Sequence, residues 1–190
     1  MPRLIVLNGP PGCGKSTIAR RYAEDHPPAL ALDVDRVRDL IAGDLSEAGR
    51  LARDIAIAAA RVHLTSGHDV VVPQFLGRPE FLDRLSALAA EVGAAYHEVV
   101  LHDSKENAIR RFTERDTVQA THAELSAMYD NLRTVIATRA PTVVESIEGD
   151  PTTTYRTLLT ALTQPRESNA QDPRVERSAP TSSTFRTGPR

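Results

Sequence analysis

The sequence predicts an α/β fold in which a five-stranded parallel sheet is covered by helices on both faces. Short apolar runs alternate with helical patterns over residues 1–164. The first run, Arg3–Asn8, passes directly into a glycine-rich turn and then into a helical pattern. Most of these runs are continuously apolar, which is typical of strands that are buried on both faces of a parallel sheet. The helical segments between them have the length that right-handed crossovers need.

Each strand is predicted from a short apolar run that stops at a turn or at polar residues. The second run is closed by Asp33-Val-Asp35, and the third follows the turn Gly67-His68. The fourth run contains Val99-Val100-Leu101 without interruption. The predicted strands are residues 3–8, 29–32, 69–72, 95–101 and 142–147.

The helices are predicted from apolar spacing and from residues that favour helix starts. Pro79 suits the first turn of a helix, because its fixed φ is helical and its missing N–H is not needed there. Ser104 can cap another helix, with Asn107 where a full capping box would have Glu. The predicted helices are residues 15–25, a short helix after Asp35 with Val37, Leu40 and Ile41 on one face, and then 45–66, 79–92, 104–115, 122–139 and 151–162.

Composition excludes several classes of protein. The chain has 190 residues, a net charge of −2 and 41% hydrophobic residues, which is enough apolar material for a core. Its single cysteine excludes an internal disulfide framework and a Cys-cluster zinc site. Residues 1–164 carry 18 cations and 22 anions, so a protein that coats nucleic acid is not expected. Lysine is rare: of the 23 cationic residues only Lys15 and Lys105 are lysines.

The last part of the sequence differs from the rest. Residues 165–190 contain four prolines and seven Ser/Thr, with Val175 and Phe185 as the large apolar residues. We therefore expect a folded domain over residues 1–164 and a disordered polar tail over 165–190. The apolar run at Leu4–Leu7 is too short for a secretory signal, and no run approaches the roughly 18 residues of a membrane span. The expectation is a cytoplasmic protein that does not contact a membrane.

A phosphate-binding loop follows the first predicted strand. The segment fits the pattern G-x-x-x-x-G-K-[ST] in full, with a strand before it and a helix after it. Its backbone N–H groups and the amino terminus of the following helix attract a polyphosphate. Lys15 is expected to reach the β- and γ-phosphates, and the Ser16 hydroxyl to ligate Mg²⁺. The predicted nucleotide-binding residues are Gly9, Pro10, Pro11, Gly12, Cys13, Gly14, Lys15, Ser16 and Thr17.

With this loop, residues 2–163 resemble the small P-loop kinases of the nucleoside-monophosphate-kinase-like group. Within that group the chain is similar to the chloramphenicol-phosphotransferase-like, shikimate/gluconate-kinase-like and polynucleotide-kinase-like branch. The resemblance is carried by Gly9–Thr17, by Leu32–Asp35 with Arg38, by the R-x-x-x-R pair Arg111 and Arg115, and loosely by Val143–Pro151. It implies a P-loop NTPase three-layer sandwich with strand order 2-3-1-4-5, a helical lid, and the use of ATP and Mg²⁺.

The resemblance also implies roles for individual residues. Asp35 matches the residue that accepts the proton of the acceptor hydroxyl, and Asp33 would hold Mg²⁺ through water or bind substrate. Alternation along the strand predicts that both carboxylates point to the same side, although one of them could simply cap the next helix. Arg38 resembles acceptor-binding residues of polynucleotide kinases. Arg111 and Arg115 lie four residues apart, so both can face the transferring phosphate, unless they form a solvated helix face.

The third predicted strand ends differently from many relatives, which carry an acid there. In this chain the strand runs into Pro73-Gln74-Phe75, so no acid stands where a Walker-B-like metal ligand is expected. Ser16 and Asp33 are therefore the favoured metal ligands. Gln74 and Arg78 are expected to face the acceptor substrate. The alternative is a loop that needs Gly77 and Pro79 only for its turn.

These observations favour an ATP-dependent kinase that phosphorylates a hydroxyl of a small molecule. The predicted catalytic residues are Lys15, Asp35, Arg111 and Arg115, the predicted substrate residues are Asp33, Arg38, Gln74 and Arg78, and the predicted metal ligand is Ser16. Two alternatives stay open, a 5′-hydroxyl polynucleotide kinase and an ATP-binding regulatory switch with little transfer activity.

Overall fold

Five parallel strands lie side by side in one sheet. The computed structural model describes residues 1–113 and 121–163, apart from the side chains of residues 111, 112 and 122. The strand order is β2-β3-β1-β4-β5, which confirms the predicted order. The strands are β1 (Arg3–Asn8), β2 (Leu30–Ala31), β3 (Val70–Pro73), β4 (Ala95–His102) and β5 (Thr142–Glu145).

Helices connect the strands and cover both faces of the sheet. Within the described ranges they are α1 (Lys15–Asp25), α2 (Val34–Asp39), α3 (Leu45–Thr65), α4 (Pro79–Val92), α5 (Lys105–Thr113), α6 (His122–Arg139) and α7 (Pro151–Thr163). Ser104 caps α5 as predicted, because its Oγ accepts a hydrogen bond from Asn107 N at 3.2 Å. None of the helices that the structure describes is both long enough and apolar enough to cross a membrane.

The alternation of side chains along β1 divides the core into two layers. Leu4 and Val6 face α3 and α4, whereas Ile5 and Leu7 face α1 and α7. All four are fully buried, and burial of such a side chain contributes about 1.5–3 kcal/mol. The helix α3 packs closely because alanine recurs every fourth residue along its buried face, at Ala48, Ala52, Ala56 and Ala60. Helices therefore pack on both faces of the sheet, and the loops that follow the strands lie along its carboxyl edge.

Several details differ from the sequence predictions, and one of them is that β5 ends at Glu145 rather than at residue 147. The second strand is shorter than expected, and α2 begins at Val34, so Asp35 lies in the first turn of a helix rather than on a strand. The prediction that alternation along a strand aligns Asp33 with Asp35 is therefore wrong. The prediction that Leu40 shares one face with Val37 and Ile41 is also wrong, since Leu40 is 86% exposed whereas Val37 and Ile41 pack against the core. The helix α2 ends at Asp39, so its periodicity does not extend to Leu40.

Some predictions fall on residues that the structure does not describe. These are the helical lid beyond Thr113, the side chain of Arg111, all of Arg115, and the polar tail over 165–190.

Candidate active site

The phosphate-binding loop connects the end of β1 to the start of α1. Gly14 is the N-cap of α1 with φ of 87°, and no side chain caps this helix, so the N–H groups of its first turn face the loop. Gly9 has φ of 147°, and a Cβ at this position would lie 2.5 Å from Leu101 O. The loop therefore approaches β4 so closely that no side chain fits at Gly9.

Lys15 lies within the curve of the loop. Its Nζ donates hydrogen bonds to Gly9 O at 2.9 Å and Pro10 O at 2.8 Å. These carbonyls hold the ammonium beside the backbone amides that the motif provides for phosphate. One of the two lysines in the chain thus places its charge within the phosphate-binding loop.

Two polar side chains that the sequence did not single out fix the loop. Asn8 is fully buried, and its Nδ2 donates to Leu76 O at 2.9 Å while its Oδ1 accepts from Gly9 N and Leu76 N, each at 2.8 Å. Ser146 Oγ donates to Cys13 O at 2.9 Å from the loop after β5. The only sequence signal for Asn8 is a polar residue that ends an otherwise apolar strand.

Asp33 uses its two carboxylate oxygens for different partners. Its Oδ1 caps α2 by accepting from Asp35 N at 3.1 Å and Arg36 N at 3.5 Å. Its Oδ2 accepts from Ser16 Oγ at 3.0 Å. Asp33 thus caps α2 with one oxygen and contacts the first turn of α1 with the other.

Asp35 lies next to this cap and contacts two other predicted site residues. Its Oδ1 accepts from Arg38 Nη1 at 2.7 Å, one turn along α2. Its Oδ2 accepts from Gln74 Nε2 at 3.4 Å, across from the end of β3. Gln74 Oε1 is buried and has no hydrogen-bond partner among the described residues. These contacts hold the carboxylate from two sides while the residue remains exposed to solvent.

The residues present suit a magnesium ion. Ser16 Oγ and Asp33 Oδ2 are hard oxygen donors that already lie 3.0 Å apart beside the loop, and Mg²⁺ is typically bound by one or two such ligands together with phosphate and water. Gln74 follows the last residue of β3, so an amide and not an acid stands at this position. Over the described ranges, no group of three or more His, Cys, Asp or Glu side chains forms a separate metal site.

A pocket lies beside the phosphate-binding loop on the α7 side. It encloses about 180 Å³ and is lined by Cys13, Thr17, Ile147, Gly149 and Pro151, among others. Arg110 of α5 forms an ion pair with Glu148 of the neighbouring loop, with 2.6 Å between Nη2 and Oε2. The loop after β5 thus contacts both the phosphate-binding loop and α5.

The rim of this pocket is held by Asp150. Its Oδ2 accepts from Thr153 Oγ1 at 2.6 Å, and its Oδ1 accepts from Thr153 N at 2.9 Å. These hydrogen bonds keep the pKa of Asp150 below its usual value. The carboxylate is therefore ionised at neutral pH and fixes the start of α7.

Arg78 lies in a second, larger cleft rather than against Asp35. This cleft encloses about 480 Å³ and is formed by α3, α4, α6 and the loop after β3. Thus Ser16, Asp33, Asp35, Arg38 and Gln74 form one connected chain of contacts, and Arg78 lies in the adjoining cleft. The side chain of Arg111 and the whole of Arg115 lie outside the described residues, so the structure does not relate them to this site.

Comparison with known proteins gives a family and a fold. The family model described as an AAA domain matches residues 4–135. No curated protein matches the chain.

Several solved structures share the fold. A gluconokinase from Sinorhizobium meliloti 1021 is 20% identical with a TM-score of 0.60, over 85% of this chain and 91% of that one. The Deinococcus radiodurans tunicamycin resistance protein is 16% identical with a TM-score of 0.63, over 85% of this chain and 96% of that one. A chain of the Pnkp1/Rnl/Hen1 RNA repair complex is 19% identical with a TM-score of 0.60, over 73% of this chain and 45% of that one.

Proposed function

The chain belongs to this AAA-domain family of P-loop kinases, and we propose that it is an ATP-dependent kinase that transfers the γ-phosphoryl group to a hydroxyl of a small molecule. The observation that carries the proposal is the hydrogen bond from Ser16 to Asp33, 3.0 Å long. It joins a complete phosphate-binding loop to the cap of α2, and that cap holds the backbone of Asp35. A donor site for phosphate thus adjoins a carboxylate that can receive an acceptor hydroxyl.

On the donor side, the loop binds the triphosphate of ATP. The amides between Gly9 and Thr17 and the amino terminus of α1 surround the phosphates, and Lys15 neutralises charge that builds up on them. Ser16 and Asp33 would hold Mg²⁺, which supplies further charge neutralisation when bound. The pocket beside Gly149 and Pro151 is the candidate site for the adenine, because it adjoins the phosphate-binding loop at Cys13 and Thr17.

On the acceptor side, Asp35 orients the hydroxyl and receives its proton. Phosphoryl transfer needs alignment more than covalent help, because its transition state is loose. The ion pair with Arg38 and the contact with Gln74 support this role, since they fix the direction of the carboxylate. One carboxylate oxygen can then accept the hydrogen bond of the acceptor hydroxyl.

Arg111 and Arg115 complete the proposed machinery. Their spacing of four residues in the sequence supports it, because residues i and i+4 share one face of a helix. Guanidinium groups on a lid can bridge the oxygens of the transferring phosphoryl group. Substitution of either arginine would then lower the transfer rate more than the affinity for ATP.

A labelled-ATP assay tests the proposal and identifies the acceptor. Wild-type protein is incubated with γ-labelled ATP, Mg²⁺ and fractions of a metabolite library, and with 5′-hydroxyl oligonucleotides as a separate arm. We expect label in a small phosphoester, and we expect Lys15→Ala to lower the rate of this transfer at least 100-fold. Lys105→Ala is the matched control with undiminished transfer, because Lys105 pairs with Asp130 on the surface.

The arms of the assay separate the alternatives. Label in the oligonucleotide would favour the polynucleotide kinase, for which the fold shared with a chain of an RNA repair complex gives some support. Binding of ATP without transfer to any acceptor would favour a regulatory switch. Either result would contradict the small-molecule kinase.

A further inference from the structure

We propose that the acceptor carries an anionic group, a carboxylate or a phosphate, and that this group binds in the cleft next to Asp35. This inference rests on the proposed function, which it deepens by naming the substrate class. We call this region the arginine cleft, because its walls include Arg50, Arg53, Arg78 and Arg84 together with Phe75 and Phe81.

The arginine cleft adjoins the residues that are proposed to receive the acceptor hydroxyl. Gln74 contacts Asp35, and the next residue along the chain, Phe75, already lines the cleft. The following residue, Leu76, is fixed to the end of β1 by Asn8, so the cleft wall and the phosphate-binding loop share one anchor. A molecule in the cleft would therefore lie beside the groups that receive its hydroxyl.

The size of the cleft suits a small molecule. Its volume of about 480 Å³ lies within the range of roughly 300–1,000 Å³ that is usual for small-ligand sites. Phe75 and Phe81 give it an apolar wall. Gly77 closes this wall tightly, since a Cβ there would lie 3.1 Å from the Phe75 ring and 3.2 Å from Asn131 Cβ.

Two of the four arginines are already neutralised within the protein. Asp54 accepts from Arg84 Nη2 at 2.7 Å and from Arg50 Nη1 at 3.2 Å. Arg50 also pairs with Glu47 at 3.1 Å. These ion pairs make Arg50 and Arg84 a fixed part of the wall rather than free ligand-binding groups.

The other two arginines differ from them. Neither Arg53 nor Arg78 forms an ion pair with any residue in the described ranges. Glu80 is the acid that lines the same cleft, so Glu47, Asp54 and Glu80 together do not balance the four guanidinium groups. Guanidinium groups in a concave site bind carboxylates and phosphates through paired N–H donors. The charge and the shape of the cleft therefore both favour an anionic small molecule with an apolar face.

Calorimetric titration with matched probes tests this inference. The protein is first saturated with Mg²⁺ and a non-hydrolysable ATP analogue, so that a phosphate probe cannot bind to the phosphate-binding loop. Glycerol, glycerate and glycerol 3-phosphate are then titrated, followed by glucose, gluconate and glucose 6-phosphate. We expect binding of an anionic member at least tenfold tighter than of its neutral parent, and the two anions separate a carboxylate site from a phosphate site.

Variants assign the binding to the cleft. The double variant Arg53→Ala/Arg78→Ala should bind the anionic probe at least tenfold more weakly than the wild type. The variant Arg53→Lys/Arg78→Lys should restore part of this affinity. Arg20→Ala is the matched control, because Arg20 is an exposed arginine on α1 away from the cleft. The affinity for the ATP analogue should be equal in all four proteins, which shows that each variant is folded.

Three results would overturn the inference: no anionic probe binds, a neutral parent binds as tightly as its anion, or the double Ala variant retains full affinity. Failure of the proposed function is a different result. In that case the anion would bind and the double variant would lose it, but no label would pass from ATP to any acceptor.

Discussion

Gly9 is a position in the phosphate-binding loop where only glycine fits. Its backbone has a positive φ of 147°, and a Cβ at this position would lie only 2.5 Å from the carbonyl oxygen of Leu101. The motif predicts a glycine here from the pattern alone. The reason, a close approach to β4, depends on a residue more than ninety positions away.

We expect Gly9→Ala to lower the free energy of unfolding by about 2 kcal/mol or more, because the methyl group must displace backbone. Chemical denaturation of the two proteins measures the difference. Gly67→Ala is the control, since Gly67 also has a positive φ, of 87°, but has open space around it. An equal loss in both variants would mean that backbone strain alone, and not the contact with Leu101, constrains Gly9.

The site residues were predictable to different degrees. Lys15 and Ser16 are identified by a local pattern, and in the structure they begin α1 directly after the phosphate-binding loop. The contacts of Asp35 with Arg38 and Gln74 could be anticipated only in part, because Gln74 is 39 residues distant from Asp35. Asn8 and Ser146 were missed, since Asn8 bonds Leu76 and Ser146 bonds Cys13, both of which lie far along the chain.

At the scale of secondary-structure elements, a buried ion pair attaches α6 to β4. Glu98 is 3% exposed, and both of its carboxylate oxygens accept from Arg139 Nε, at 3.1 and 3.0 Å. Arg139 also pairs with Asp83 of α4. The sequence placed Arg139 at a helix exit, and its structural role comes from partners on two other elements.

Removal of this guanidinium should be costly. We expect Arg139→Ala to lower the free energy of unfolding by about 3 kcal/mol, because the carboxylate of Glu98 stays buried when its countercharge is removed. Urea denaturation measures this. Arg61→Ala breaks an ion pair with Glu91 on the exposed surface and should have a much smaller effect. If both variants lost the same stability, burial would not be the source of the difference.

The start of α2 shows why element boundaries matter for function. A strand through Asp33 and Asp35 and a cap followed by a helix are both compatible with the local sequence. The structure has the cap, in which one oxygen of Asp33 accepts from the backbone of α2 and the other accepts from Ser16. Asp35 is thereby turned toward Arg38. Leu40 was misassigned for a related reason, because the helix is only six residues long and ends before it.

For the whole molecule, Asp69 links elements at the amino edge of the sheet, opposite the site. Its Oδ2 accepts from Tyr22 Oη of α1 at 2.7 Å, and its Oδ1 accepts from Arg3 N of β1 at 2.8 Å. Burial raises the pKa of Asp69, but the hydrogen bonds from Tyr22 and Arg3 and the charge of Arg3 outweigh it and hold the pKa below its usual value.

This depressed pKa predicts a loss of stability in acid. The contribution of Asp69 is complete above the usual aspartate pKa of about 3.9, and it is lost as the pH falls through the lower pKa of the folded state. We expect Asp69→Asn to lower the free energy of unfolding by about 1–3 kcal/mol at pH 7, and by less as the pH approaches 2. Urea denaturation over this pH range measures the gap. A gap that is constant with pH would contradict the assignment.

The fold as a whole was predicted more completely than the site. The sheet order followed from the family resemblance, and most element boundaries followed from local patterns. The arginine cleft was not anticipated, because its residues come from α3, α4, α6 and the loop after β3. Of these residues, only Arg78 was expected to face the substrate, and its partners in the cleft become neighbours only when the helices pack on the sheet.

The central claim is that Asp35 receives the acceptor hydroxyl beside a phosphate-binding loop that holds ATP. The most direct test is transfer of the γ-label by wild-type protein and by Asp35→Asn, with the acceptor found in the metabolite assay and with the affinity for ATP measured in parallel. We predict that Asp35→Asn lowers the transfer rate at saturating substrates by about 100-fold or more, with the affinity for ATP changed less than twofold. An undiminished transfer rate, or an equal loss of rate and ATP affinity, would contradict the account.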